Sequence, residues 1–313
     1  MTSNFYDPSR LNRAFTGIPT FLRSNYCSDL SQLSAKAAIY GVPFDEGSPF
    51  LPGTRFGPRS LREHSLRFSP DGWQDMETGH HYLADAVRTG KIVDVGDVDI
   101  ASTNVELTFE NITSLVRGIL DRGVMPVGLG GDHSITYPIV RAFNQPLHVV
   151  QFDAHLDYDT FEGGLRHTNG HAFRHIHGMP NVQSLTQIGI RSLRGEPAIL
   201  REVKANGGNV VPVGEYRREG AEAIIGRLPK DAPVYVSIDI DALDMSLVPG
   251  CVSGEPNGFT YEELSRGLAA LAKHTNVVGF DFVEVNPSLD VGTGATSYLG
   301  THIVVEFLGR LLG

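Results

Sequence analysis

Short, continuously apolar runs rich in Val and Ile recur along the chain, each bounded by glycine, proline or charge. Residues 38–42, 91–98, 124–131, 148–155, 185–191, 209–213, 233–241 and 276–285 are such runs. Their length and their lack of a clean in–out alternation predict strands buried on both faces. Between them the spacing changes to that of a helix. In residues 105–123, Leu107, Ile112, Leu115, Val116 and Leu120 fall on one face, and residues 261–274 form another helical stretch. Strands alternating with helices predict an α/β fold built on a mostly parallel sheet covered on both sides. Residues 1 to about 35 are polar and turn-rich and read as an N-terminal arm. A long loop-rich segment holding Pro49, Pro52 and Pro58 separates the first two strands. No solenoid repeat, low-complexity tract or Pro/Gly/Ser linker divides the chain, so residues 1–313 are expected to form one domain.

Composition excludes more than it identifies. Apolar residues make up 41% of the chain, enough for a full core. A formal net charge of −10 argues against a general nucleic-acid binder, which would present a basic face. Cys27 and Cys251 form no CxxC pair and no regular framework, as expected in a reduced, cytoplasmic setting. The first residues, MTSNFYDPSR, lack a basic segment followed by an apolar one. No apolar run approaches the roughly 20 residues of a membrane helix, so neither export nor a membrane span is expected.

The chemistry is concentrated where three apolar runs stop. Gly130-Gly131-Asp132-His133-Ser134, Asp153-Ala154-His155-Leu156-Asp157 and Ser237-Ile238-Asp239-Ile240-Asp241 each follow a predicted strand. Ligands of open α/β sheets bind just beyond the carboxyl ends of the strands. If the three ends are neighbours, His133, Asp153, His155, Asp157, Asp239 and Asp241 surround one point. Residues i and i+2 of an extended segment share a face, so Asp153, His155 and Asp157 are expected to point together, as are Asp239 and Asp241. Four carboxylates brought this close repel, and burying them unpaired costs several kcal/mol each. Divalent cations remove that cost, and an oxygen-rich set with two histidines suits manganese-like ions better than structural zinc. Taken singly, each segment also reads as a glycine turn or an Asp cap on the next helix. Their repetition after three strands is what points to a two-metal site.

These segments, in this order, resemble those of the ureohydrolase family: the arginases, agmatinases, guanidinobutyrases and their relatives. The resemblance extends over most of the chain. GVPFDEG (41–47), PGTRFGP (52–58), VDVGDV (93–98), SIDIDALDMSLVPG (237–250) and DFVEVNP (281–287) are all similar to family segments. It implies a three-layer αβα sandwich with a mostly parallel central sheet. It also implies two Mn²⁺ per subunit (Ni²⁺ accepts the same donors), release of urea from a guanidino compound, and a homo-oligomer, trimeric or hexameric. By the same resemblance His133, Asp153, Asp157 and Asp239 hold one metal. Asp153, His155, Asp239 and Asp241 hold the other, with Asp153 and Asp239 bridging. Glu284 receives the substrate guanidinium, a planar donor array that matches a carboxylate. The implied mechanism is attack by a metal-activated hydroxide on the guanidinium carbon, with Asp157 passing a proton to the leaving amine.

Departures from the family pattern bear on substrate and proton transfer. Matching Gly170 and Phe173 puts Asn169 where a proton-relay histidine is expected. Asn binds by hydrogen bonds but does not shuttle protons at neutral pH, which leaves His167 or His171 to take over that role. Asp159 stands where arginases commonly carry an asparagine that binds an α-amino acid. This points to the agmatinase-like branch and to a distal ammonium on the substrate. Leu51, Met245 and the loop Cys251-Val252-Ser253-Gly254-Glu255-Pro256 also differ from the usual residues. Two alternatives to an agmatinase-like activity stay open: hydrolysis of a non-standard guanidine or a formimino substrate, and a weakly active partner subunit of a hetero-oligomer.

Overall fold

Successive side chains of a strand project to opposite sides, so a strand that is apolar throughout needs cover on both. In the computed structural model, which describes residues 9–313, this yields a nine-stranded sheet with helices on each face. In chain order the elements begin with β1 (Asn25–Tyr26), β2 (Ala37–Val42), α1 (Gly57–Ser65), β3 (Trp73–Gln74), β4 (His81–Tyr82), β5 (Ile92–Asp97) and α2 (Val105–Leu120). The middle of the chain supplies β6 (Met125–Gly130), α3 (Thr136–Val140), β7 (Leu147–Phe152), α4 (Ala172–His177), β8 (Val182–Ile190), α5 (Pro197–Ala205) and β9 (Asn209–Pro212). It closes with α6 (Val213–Glu219), α7 (Ala221–Ile225), β10 (Pro233–Asp239), α8 (Tyr261–His274), β11 (Asn276–Val283) and α9 (Ala295–Leu312).

The large sheet runs β1-β5-β2-β6-β11-β10-β7-β8-β9, and every pairing in it is parallel. β3 and β4 form a separate antiparallel pair. β2 shows how one strand feeds two cores: Ala37 and Ile39 belong to the core that also takes in α1, α8 and α9, while Ala38, Tyr40 and Val42 belong to the one that takes in α2, α3 and α4. This is the three-layer α/β arrangement expected from the apolar pattern. No helix among the described residues is long and apolar enough to cross a membrane.

Local signals account for the helices that flank the site. α8 begins at a capping box, with the Thr260 hydroxyl accepting from the Glu263 backbone N–H and the Glu263 carboxylate accepting from the Thr260 N–H. Its bounds coincide with the predicted 261–274. α2 is capped by Asn104, whose side chain accepts from the Leu107 N–H at 3.0 Å. Of the expected face, Ile112 and Val116 are buried and Leu115 and Leu120 pack against the core at its edge, with Phe109 and Ile119 completing the buried side; Leu107 is exposed. Leu107 alone departs from the expected face. The apolar stripe is wide, and the capped first turn leaves Leu107 on its outer margin.

The stretch expected as an arm is tied to the sheet in its described part. β1 pairs with β5, and Phe21 and Leu22 are buried in the core. A buried ion pair makes the attachment. Arg62 of α1 donates to both Asp94 oxygens, at 2.8 and 3.0 Å, and to Asp97 at 2.5 Å. Asp94 also accepts from the Phe21 backbone N–H at 2.8 Å. One carboxylate thereby joins residues 21–23, α1 and β5.

Candidate active site

Four adjacent strands at the middle of the sheet, β6, β11, β10 and β7, carry Glu284 and all the expected metal donors at or just beyond their carboxyl ends. At the end of β6 the chain turns at Gly131, with φ +46°. A Cβ there would lie 2.5 Å from the Val42 carbonyl oxygen and 2.7 Å from that of Phe44, so only glycine fits. The turn delivers Asp132, whose buried carboxylate accepts from the backbone N–H groups of Ser134 at 3.0 Å and Gly47 at 2.8 Å. His133 follows at the start of a short helical turn, fully buried.

His133 Nδ1 lies 3.0 Å from oxygens of both Asp153 and Asp157 and 3.1 Å from Asp239. It is aligned with none of them as a hydrogen-bond donor. A buried nitrogen converging with three carboxylates yet bonded to none is arranged around a shared ligand. Its other nitrogen, Nε2, is 2.8 Å from Ser237 Oγ, which in turn donates to Asp281 at 2.5 Å. Asp281 also accepts from the Tyr235 hydroxyl at 2.7 Å and from Thr136 at 2.8 Å. This chain of donors fixes the imidazole so that Nδ1 faces the carboxylates. On the other side of Asp153, His155 Nδ1 lies 2.9 Å from Asp241 and 3.4 Å from Asp153. Two groups result, His133–Asp153–Asp239 and Asp153–His155–Asp241, each with donor atoms within 4.8 Å of one another and with Asp153 common to both.

The side chains converge through turns, and the expected extended geometry is corrected here. β7 stops at Phe152, so Asp153, His155 and Asp157 do not lie along one strand face. The Asp153 carboxylate accepts from the His155 N–H at 2.5 Å, which turns the chain, and Asp157 adopts φ +44°. Asp239 likewise caps a short turn, accepting from the Asp241 N–H at 2.8 Å. Glu284, just past β11, has φ +67°. Positive φ at non-glycine residues costs about 1–3 kcal/mol and is tolerated where the surroundings overdetermine the position. Here it occurs at two of the residues that face the cluster.

Burial sets the electrostatics. Burial, then the charges of Asp241 and Asp153, drive Asp239 well above the usual carboxylate range. Burial and Asp153 push Asp157 up to about 6. Burial would raise Asp153 as well, but the imidazoles of His133 and His155 close beside it hold it below its ordinary value. Burial would lower both histidines. The surrounding carboxylates win, raising His133 well above its ordinary value and His155 to about 12. Four carboxylates against two imidazoles leave an excess of negative charge that divalent ions would neutralise. The donors, two imidazole nitrogens and carboxylate oxygens sharing Asp153, fit two such ions.

His155, Asp157, Asp239 and Asp241 of the cluster line a cavity of about 420 Å³. Glu284 and Asn169 line it too, and Asp159, Arg194, Ile190 and Leu200 are on the wall. The Glu284 carboxylate accepts from the His133 backbone N–H at 2.9 Å and from Asn169 Nδ2 at 3.2 Å. Burial, then Asp132, pushes it up to about 8.

His171 is not brought to the cavity. It is buried with Nδ1 2.6 Å from the Thr168 hydroxyl and Nε2 3.1 Å from the Thr160 carbonyl oxygen, so both ring nitrogens are committed away from the cluster. His167 also lies off the cavity, stacked on Tyr137 and His175. The relay position expected of these histidines is therefore corrected: of this stretch, Asn169 and Gly170 reach the cavity. Sequence reasoning missed the Ser237–Asp281 support of His133. Its signal was present, since a carboxylate inside the apolar run 276–285 needs buried partners. It also missed Cys251, whose sulfur shares a group within 4.8 Å with Asp239 and Asp241.

With this geometry established, likeness to known proteins becomes informative. Residues 35–309 match the Arginase family. The chain is 34% identical to a guanidinopropionase of Pseudomonas aeruginosa, over 94% of this chain and 92% of that one. It is 35% identical to a mitochondrial agmatinase of Gallus gallus, over 88% and 81% of the two chains. The solved structure of proclavaminate amidinohydrolase from Streptomyces clavuligerus superimposes with a TM-score of 0.85 at 30% identity, covering 95% of this chain and 98% of that one.

Proposed function

Since the chain belongs to the arginase family of ureohydrolases, in its agmatinase-like branch, and is a hydrolase of C–N bonds in linear amidines, we propose that it cleaves a linear guanidino compound, agmatine or a guanidino acid, to urea and an amine. The observation that carries this reading is the pair of histidine–carboxylate groups sharing Asp153, whose His155, Asp239 and Asp241 line a cavity that Glu284 also lines. His133, Asp153, Asp157 and Asp239 would hold one divalent ion, and Asp153, His155, Asp239 and Asp241 the other. Manganese is the first choice and nickel the alternative for these donors. Bound there, the ions would neutralise the carboxylates and lower the pKa of water in the cavity.

The chain's own residues do the rest. The Glu284 carboxylate receives the guanidinium N–H groups and holds its carbon over the cluster. Asn169 donates to that same Glu284 oxygen and keeps it oriented. Asp157 takes a proton from the attacking water and gives it to the leaving nitrogen. One water is consumed, one C–N bond breaks, and urea and an ammonium product leave. Asp159 on the wall selects a distal ammonium. Assembly as a homotrimer or homohexamer in the cytoplasm is part of the same proposal.

A second reading, hydrolysis of a formimino or non-standard guanidine substrate, draws support from Asn169, which hydrogen-bonds but carries no proton. The test loads purified protein with Mn²⁺ or Ni²⁺ and measures urea across agmatine, guanidinobutyrate, guanidinopropionate, arginine and guanidine. Turnover of agmatine or a guanidino acid supports the first reading. Two metals per chain with no urea from any of the five sinks it and turns attention to formimino substrates. Asp159→Asn is expected to weaken agmatine about tenfold and leave guanidino acids unchanged, the loss of one charge-assisted contact.

A further inference from the structure

We propose that the sulfur of Cys251 is an additional donor to the metal centre, adding a soft ligand on its Asp239–Asp241 side. The inference rests on the two-metal reading above. The Cys251 sulfur and the carboxylates of Asp239 and Asp241 form a third group whose donor atoms lie within 4.8 Å of one another, next to the two histidine groups. Two donors on one ion, with metal–oxygen bonds near 2.1 Å and metal–sulfur bonds near 2.3 Å, sit up to roughly 4.4 Å apart. Cys251 is therefore within a small side-chain adjustment of bonding distance. Independently, the buried Nδ1 of His133, 3.1 Å from Asp239 and aligned with no acceptor, points to a ligand beside that same Asp239 carboxylate.

The backbone holds the sulfur in place. Cys251 bridges Val285, the residue after Glu284, in an isolated antiparallel pairing. On its other side the Gly250 N–H donates to Thr296 at 2.8 Å, and the Gly250 carbonyl accepts from the Asn286 N–H at 2.8 Å. These contacts anchor the loop 250–256 to the same strand end that carries Glu284. The chain's other cysteine, Cys27, lies elsewhere, following β1 with its thiol 3.3 Å from the Asp29 carbonyl oxygen. Coordination sends the Cys251 thiol proton to solvent as the sulfur–metal bond forms. A thiolate among oxygen donors shifts preference from manganese toward borderline-soft ions such as cobalt, nickel or zinc.

The experiment loads the full metal-free chain with Co²⁺, as wild type, Cys251→Ser and Cys27→Ser, and records stoichiometry and near-ultraviolet absorption. The expected result is two cobalt ions per chain in all three. A sulfur-to-cobalt charge-transfer band appears in wild type and Cys27→Ser and disappears in Cys251→Ser. In competition, wild type favours Ni²⁺ over Mn²⁺ about tenfold more than Cys251→Ser does. Two bound ions with no band in wild type, or a band that survives Cys251→Ser, overturns the proposal and leaves the metal centre standing. Absence of specific cobalt uptake in wild type overturns both. Should Cys251→Ser misfold, X-ray absorption on cobalt-loaded wild type decides: a sulfur scatterer at about 2.3 Å supports the assignment, and nitrogen and oxygen scatterers alone refute it.

Discussion

Replacing Glu284 by Gln is expected to stabilise the metal-free protein while abolishing most of its turnover. Burial and the nearby Asp132 push Glu284 from 4.5 up to about 8. A carboxyl raised in this way contributes stability that is complete below its unfolded pKa and is lost as pH rises through the folded value. For Glu284 the window runs from about 4.5 to about 8. Each unit is worth about 1.4 kcal/mol, so the ionised group costs several kcal/mol at pH 8. Asp132, itself raised to about 7 first by burial, shares the repulsion, and a net gain of about 2–3 kcal/mol is expected for the neutral side chain. Gln keeps a carbonyl oxygen where Oε1 accepts from His133 N–H and Asn169 Nδ2, so the local structure persists. At about 2 °C per kcal/mol for a chain of this size, Tm rises by roughly 5 °C at pH 8 and changes little at pH 4.5. Losing a charged acceptor for the guanidinium lowers kcat/KM by about 10- to 150-fold. Thermal unfolding in chelator from pH 4.5 to 9, with urea release by the manganese-loaded protein, checks both halves. An E284Q protein that melts at or below wild type at pH 8, or that turns over at the wild-type rate, refutes the reasoning.

Gly131→Ala forces a Cβ to within 2.5 Å of a backbone oxygen at φ +46°, so a loss of about 2 kcal/mol or more and reduced metal uptake are expected, read by Tm and metal analysis. Asn169→Ala removes one donor to Glu284, and kcat/KM should fall by up to about tenfold with Tm within about 1 °C; an unchanged rate removes Asn169 from the positioning role. Arg62→Ala strands the buried Asp94 and is expected to cost about 3–5 kcal/mol without changing metal affinity, as judged by denaturant unfolding and metal titration. Mn²⁺ at about 100 times its Kd should add about 2.7 kcal/mol to stability at pH 8. The increment should shrink toward pH 5.5, where protons hold the raised His133, His155 and Asp239 against the metal.

Much of the fold was readable from short-range pattern. The eight apolar runs all became strands of one sheet, and residues 261–274 became α8 because a capping box and a helical stripe agree there. α9 escaped notice because it is buried around most of its circumference and lacks the polar face that marks an amphipathic helix. α1 lay within a stretch read as loop, where proline and glycine masked a nine-residue helix carrying Pro58 in its first turn.

The residue types already contained the chemistry of the site. Histidines and aspartates at three strand ends are donors for hard or borderline cations wherever the chain folds, and parallel strands put their carboxyl ends on one edge. Adjacency was not contained there. Which strands are neighbours is set by packing between segments as much as 240 residues apart, as in the bond from the Thr301 hydroxyl of α9 to the Leu61 carbonyl of α1. The left-handed turns at Asp157 and Glu284, the Ser237–Asp281 support of His133 and the approach of Cys251 all arise from such packing. Each depends on distances across the sheet, and a linear sequence carries those only through the energy of the folded whole.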